Sequence, residues 1–152
     1  MRNSLPELAF ALVVLCLAAS GEEILPKFFG AGVPLLLAAA QVTAMRRPVA
    51  AAVVFAIAAG ALEDSLSSLP AMTSVSFFLM AAAFARRAEM PVAAALLTYP
   101  AYQLWLSAWT GGLGGGVFMR ILVALPIGAA TSLAVWWVLL RAERRAAIGE
   151  QD

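Results

Sequence analysis

The apolar positions of this chain fall into six long runs, at approximately 6–20, 28–45, 48–68, 71–85, 91–110 and 117–140, separated by short breaks. The first run opens on Ser4, Pro6 and Glu7. That is a helix start in which a serine caps, a proline occupies the first turn and an acid reaches back toward the cap. Gly21-Glu22-Glu23, then Pro26 and Lys27, break the pattern, and the second run goes from Phe28 to Met45. It stops at Arg46-Arg47-Pro48, and the purely apolar part of the third run ends at Leu62. That part would cover about 22 Å against about 30 Å of bilayer hydrocarbon. The third helix is therefore predicted to continue through Glu63 and Asp64 toward Ser68, with Pro70 ending it. The fourth run ends at Arg86-Arg87, and a glycine-rich stretch at 111–116 divides the fifth from the sixth. Arg2 and Ala18-Ala19-Ser20 also have the parts of a secretory signal and its cleavage site. A retained helix is expected instead, because the residues that follow make no soluble domain.

Composition turns six helices into six membrane spans. Hydrophobic residues make up 63% of the chain and charged residues 12%, against about 45–50% and about 25% in soluble domains. A single core of this size cannot hide that much apolar surface, so the excess is expected to face lipid. The expectation is an all-α integral membrane protein, one transmembrane domain over residues 1–152. A net charge of +1 gives no field to draw nucleic acid. The lone Cys16 cannot form an intrachain disulfide.

The basic residues orient the spans. Arg2, Arg46-Arg47, Arg86-Arg87 and the cluster Arg141, Arg144 and Arg145 fall at alternate breaks, whereas the other breaks hold only Lys27, with Arg120 just inside the last span. Under the positive-inside rule both termini and the turns after the second and fourth spans are cytoplasmic. Trp136-Trp137 would then lie at the cytoplasmic interface, and Phe28-Phe29 and Trp109 at the outer one.

Candidate chemistry is sparse. The chain has no histidine, which removes histidine-based zinc sites and Ser-His-Asp triads. Glu22-Glu23 superficially resembles the paired glutamates of intramembrane CAAX-type proteases, but those enzymes need histidines too. The 111–116 stretch lacks the Lys-Ser/Thr ending of a phosphate loop. No enzymatic activity, cofactor, metal or small-molecule ligand is expected. Glu63 and Asp64 are the informative pair, because acids within a span are paired, protonated or turned to a cavity. They read either as an anchor for a partner or as polar residues at the water interface. Arg120 is their expected partner, or else snorkels to the outer headgroups. The fifth span carries Thr98, Tyr99, Pro100, Tyr102, Gln103 and Ser107, which read either as a ligand site beside a kink at Pro100 or as a polar seam between helices. Small residues recur every four positions, at Ala52, Ala56 and Gly60 and again at Ala124, Gly128 and Ser132. Such rows let helices approach closely.

The segment from Gly60 to Met72 resembles the MreD family of rod shape-determining membrane proteins. There the third helix ends in a glycine four residues before an aspartate, followed by a short polar turn and a proline. Gly60, Asp64 and Pro70 match in type and spacing. The departures are Ser68, where the turn commonly has glycine, and Met72, where a glycine usually follows the proline. The resemblance implies a non-catalytic protein of the bacterial inner membrane with an S-component-like bundle. It would be a scaffold of the cell-wall elongation complex, docking an MreC-like bitopic coiled-coil protein and, through it, wall-synthesis enzymes. Gly60, Glu63, Asp64, Pro70 and Arg120 would shape the fold or the docking surface. Asp64 could accept hydrogen bonds from the open amides at the start of the fourth helix. The alternative is the substrate-binding S component of an energy-coupling-factor vitamin transporter. The Ala-x-x-x-Ala row common on the first helix of those proteins is absent, since Val13 follows Ala9 and Leu15 follows Ala11.

Overall fold

A computed structural model of the chain describes residues 4–29, 34–67, 69–88, 90–109 and 116–149, excluding the side chains of residues 4–7, 25–29, 91, 117, 120, 124 and 142–149. The described residues are helical throughout their length apart from short turns, and no strand occurs among them. The helices are α1 (Ser4–Phe29), α2 (Leu35–Arg46), α3 (Val49–Ser67), α4 (Thr73–Ala88), α5 (Pro91–Trp109) and α6 (Gly116–Gly149). Two of them, α3 and the Ile121–Arg141 part of α6, are long and apolar enough to cross a membrane. The segments α2 and α4 have 12 and 16 residues, and α1 carries Glu22, Glu23 and Lys27.

The centre of the bundle is α2, which touches each of the other five helices. Its residues Leu36, Leu37, Ala38, Ala39, Ala40, Gln41, Val42 and Ala44 are all buried. A helix apolar on every side is stable only when it is enclosed on every side. Four alanines on α2 keep it thin enough for five neighbours. Its length, about 18 Å at the standard rise, falls short of the hydrocarbon thickness.

Two boundaries differ from the sequence expectation. The break expected at 21–27 is absent, because α1 continues through Glu22 and Pro26 to Phe29. Phe28 and Phe29 consequently end α1 and do not begin α2, which starts after Pro34. The reason is that Glu22 has partners inside the protein and needs no water. At the other end of the chain α6 does not stop at Leu140 but carries the arginine cluster on as helix to Gly149.

Helices α3 and α4 pack on small residues. Ala52, Phe55, Ala56, Ala59, Gly60 and Asp64 form the buried stripe of α3, with the three- and four-residue spacing of one helix face. Gly60 sits where the two backbones come close: a β-carbon there would lie 2.5 Å from the Cα of Val75 and 2.7 Å from its nitrogen. Gly128 plays the same part between α6 and α5, where its missing β-carbon leaves room for the Tyr99 ring.

Contacts between helix ends define two poles. At one, the Arg86 Nη1 group at the end of α4 donates to the carbonyls of Ala44 (3.1 Å) and Arg47 (2.9 Å) at the end of α2. There too the Arg46 guanidinium lies over the Trp136 ring of α6, 5.1 Å from its centroid. At the other pole lie Glu22, Glu63 and Asp64.

Candidate functional site

The acidic pole is built where three helices end or begin. The α3–α4 turn closes through a hydrogen bond from the Thr73 amide to the Pro70 carbonyl (3.2 Å). The start of α4 leaves amides without helical partners. Asp64, buried one turn from the end of α3, supplies an acceptor: the Ser74 amide donates to its Oδ1 at 2.7 Å. A carboxylate here also complements the positive end of the α4 dipole. The same turn puts Met72 in the left-handed region at φ 71, a conformation that favours glycine.

Glu22 does for α2 what Asp64 does for α4. Pro34 precedes α2 and provides no side-chain cap. The Leu36 amide donates instead to Glu22 Oε1 at 2.7 Å, and the Leu35 amide also bonds to this carboxyl. A residue of α1 thereby caps the helix that follows it. The Glu22 carboxyl also meets that of Glu63 within hydrogen-bond reach, which ties α1 to α3.

Glu63 completes the pole from the half-buried side of α3. The Tyr102 hydroxyl donates to its Oε1 at 3.0 Å. A phenol has one proton to give, so the Ser74 hydroxyl, 3.4 Å away, is the donor in its own contact with Tyr102. Nearby, the Trp105 indole donates to the Thr73 carbonyl at 3.1 Å. Phe77 and Phe78 of α4 pack against the Tyr102 ring, with centroids 5.0 and 5.8 Å away.

The sequence-predicted residues divide as follows. Gly60 lies at a close approach of α3 to α4, and Asp64 at the α4 cap. Pro70 is exposed in the turn and lends its carbonyl to Thr73. Glu63 meets Tyr102 and Glu22. The Arg120 side chain, expected to pair with the acids, lies outside the described residues. The sequence reads Glu22 as part of a polar break and does not show its role as a cap. The available signal was Pro34, a helix start with no capping side chain of its own. The polar residues of α5 serve as a seam: Tyr99 donates to the Pro34 carbonyl at 2.9 Å, and the Gln41 amide of α2 donates to the Thr98 hydroxyl.

Chemically, the pole is a set of acceptors engaged by backbone amides and hydroxyls, except for the buried Asp64 Oδ2, which has no hydrogen-bond partner among the described residues. No group of three or more His, Cys, Asp or Glu able to hold a metal occurs among the described residues. No protein-family model, curated protein or solved structure matches the chain.

Proposed function

We propose that this chain is a non-catalytic scaffold of the bacterial inner membrane. It crosses the bilayer with six helices in an S-component-like bundle, both termini cytoplasmic. It serves the cell-wall elongation complex by docking an MreC-like bitopic protein and, through it, wall-synthesis enzymes.

The observation that carries this reading is the α3–α4 turn. Gly60 permits backbone contact with Val75, Asp64 caps α4, Pro70 closes the turn, and Met72 has the backbone of a glycine. Gly60, Asp64, Pro70 and the glycine position that Met72 fills thus each have a physical job, while Ser68 lies outside the described residues. The polar groups of this turn are spent on holding helices together, which suits a rigid docking surface better than a reaction centre. The separation of the arginine pole from the acidic pole supports the orientation. Two helices long and apolar enough to span support the membrane location.

The test is gentle detergent extraction of the tagged protein from its native membrane, with mass spectrometry of what copurifies. The expected result is a coiled-coil bitopic protein together with wall-synthesis enzymes. Recovery of a transporter coupling subunit with ATPases would replace the scaffold reading with the S-component one.

A further inference from the structure

Helix α1 is attached to the bundle through few contacts. Among the described residues it packs against α2 and α3 alone. Of its described side chains only Leu15 and Ala18 are buried, while Leu8, Leu12, Val13 and Leu17 face outward. Its hydrogen bonds to other helices, among the described residues, all run through Glu22. A helix held so sparsely opens at a lower cost than one enclosed like α2, so the state of the Glu22 carboxyl decides how firmly it is held.

The neighbours of that carboxyl make conflicting demands. The Leu35 and Leu36 amides donate to it, Leu36 at 2.7 Å. The Glu63 carboxyl is also within hydrogen-bond reach, and it accepts from the Tyr102 hydroxyl at 3.0 Å. Two ionised carboxylates have no proton to place between them and repel. One proton between them turns the repulsion into a hydrogen bond. Around the pair, α1 adds the exposed Glu23 and Lys27, and α3 adds Asp64, whose Oδ1 accepts from the Ser74 amide. Helix α5 adds Tyr99 and Tyr102, and α6 adds Arg120. The charged side chains of α2 and α4 are all at the opposite pole. The side chains of Lys27 and Arg120 lie outside the described residues, so a cation between the carboxyls is the rival arrangement that the test below separates.

We propose that Glu22 and Glu63 form a proton-binding site, one proton held between two carboxyls, and that this proton latches α1 onto α3. While it is bound, Glu22 stays over the start of α2 and α1 stays docked. As the pH rises and the proton leaves, two adjacent negative charges remain, and α1 loosens from the bundle. Attachment therefore belongs to the lower pH and release to the higher. Asp64 takes no part in the latch, because its bond to the Ser74 amide joins α3 to α4. The proposal goes beyond the scaffold reading and does not depend on it.

An infrared pH titration of the detergent-extracted protein, with a nitroxide label on Cys16 read in parallel by electron paramagnetic resonance, tests both halves. Cys16 is the one cysteine and is exposed on α1, so the label reports on that helix without any substitution. At neutral pH a protonated carboxylic C=O band is expected. It should be lost as the solution is made alkaline, with label mobility rising in step. Glu63→Gln sets a permanent amide donor against Glu22; it should abolish the band at neutral pH and make the mobility independent of pH. Absence of the band at neutral pH in the unaltered protein means that both carboxylates are ionised and bridged by a cation, and overturns the shared proton. A band that survives Glu63→Gln and vanishes in Asp64→Asn assigns the proton to the buried Asp64 Oδ2 and overturns it as well. Mobility that ignores the loss of the band overturns the latch. The first and last of these outcomes are read on the unaltered protein, whether or not the variants fold.

Discussion

Gly60 on α3 faces Val75 on α4 so closely that a β-carbon on the glycine would stand 2.5 Å from the valine Cα. The obstacle is backbone, which cannot rotate away as a side chain can. Gly60→Ala must therefore push α3 and α4 apart and break the packing of both. The expected loss is about 3 kcal/mol, at the upper end of overpacking costs. Gly128→Ala meets the fully buried Tyr99 side chain instead, with Cγ 2.5 Å away; turning the ring leaves Cγ in place, so the whole side chain must shift, and about 2 kcal/mol is expected. Gly116→Ala has nothing within 4 Å and should be neutral. Thermal unfolding of the three variants in one detergent checks the order, and a Gly60→Ala protein as stable as Gly116→Ala would refute the close-approach argument.

Asp64 and Glu63 are adjacent in sequence yet differ in what their loss would strand. Asp64→Ala removes the acceptor for the Ser74 amide and uncaps α4, at a cost of about 1–2 kcal/mol. Glu63→Ala deprives the Tyr102 hydroxyl of one partner, but the Ser74 hydroxyl remains beside it, so the cost should be about half as great. Asp64→Asn retains an acceptor oxygen and is expected to recover most of the loss. Equal melting temperatures and yields for Asp64→Ala and Glu63→Ala would remove the distinction between them.

Met72 holds a left-handed backbone with a side chain attached. That conformation costs a non-glycine residue about 1–2 kcal/mol. Met72 is 67% exposed, so little packing is lost when its side chain goes. Met72→Gly should stabilise the protein by about 1 kcal/mol, the relief of strain outweighing the greater entropy of the unfolded chain. Met72→Val should destabilise it, because a β-branched residue tolerates this region least. A Met72→Gly variant that melts below the parent would contradict the strain.

The same residues mark how far sequence reasoning reaches here. Gly60, Asp64 and Pro70 were legible because a close approach, a cap and a turn belong to one helix–turn–helix motif of regular spacing that ends at Val75. Glu22 was not, because the amide it caps is 14 residues away and joined by no regular spacing. An acid followed by a second acid and a proline reads as the end of a helix wherever its partners are invisible. The central role of α2 was hidden for a similar reason. A mostly apolar run ending at a pair of arginines looks the same whether lipid or five other helices surround it. Met72 was visible as a methionine in a glycine position, but only the backbone angle says what the glycine would do.

The arrangement of the poles makes a last prediction, on orientation. Arg86 reaches back to the Ala44 and Arg47 carbonyls, and Arg46 reaches Trp136. The ends of α2 and α4 and the later part of α6 are thus held at one pole by contact, and that pole carries Arg46, Arg47, Arg86 and Arg87. Asp64, Glu63 and Glu22 stand at the other. If the arginine pole is cytoplasmic, as the positive-inside rule requires, Arg87 and Ser67 lie on opposite sides of the membrane, both exposed. Cys16 is replaced by alanine first, and a single cysteine is then introduced by Ser67→Cys or Arg87→Cys. In intact cells a membrane-impermeant thiol reagent should label the Ser67→Cys protein. The Arg87→Cys protein should be labelled only after the membrane is opened. The reverse pattern would invert the orientation, and equal labelling of both from outside would mean that the two poles do not face opposite sides of a bilayer.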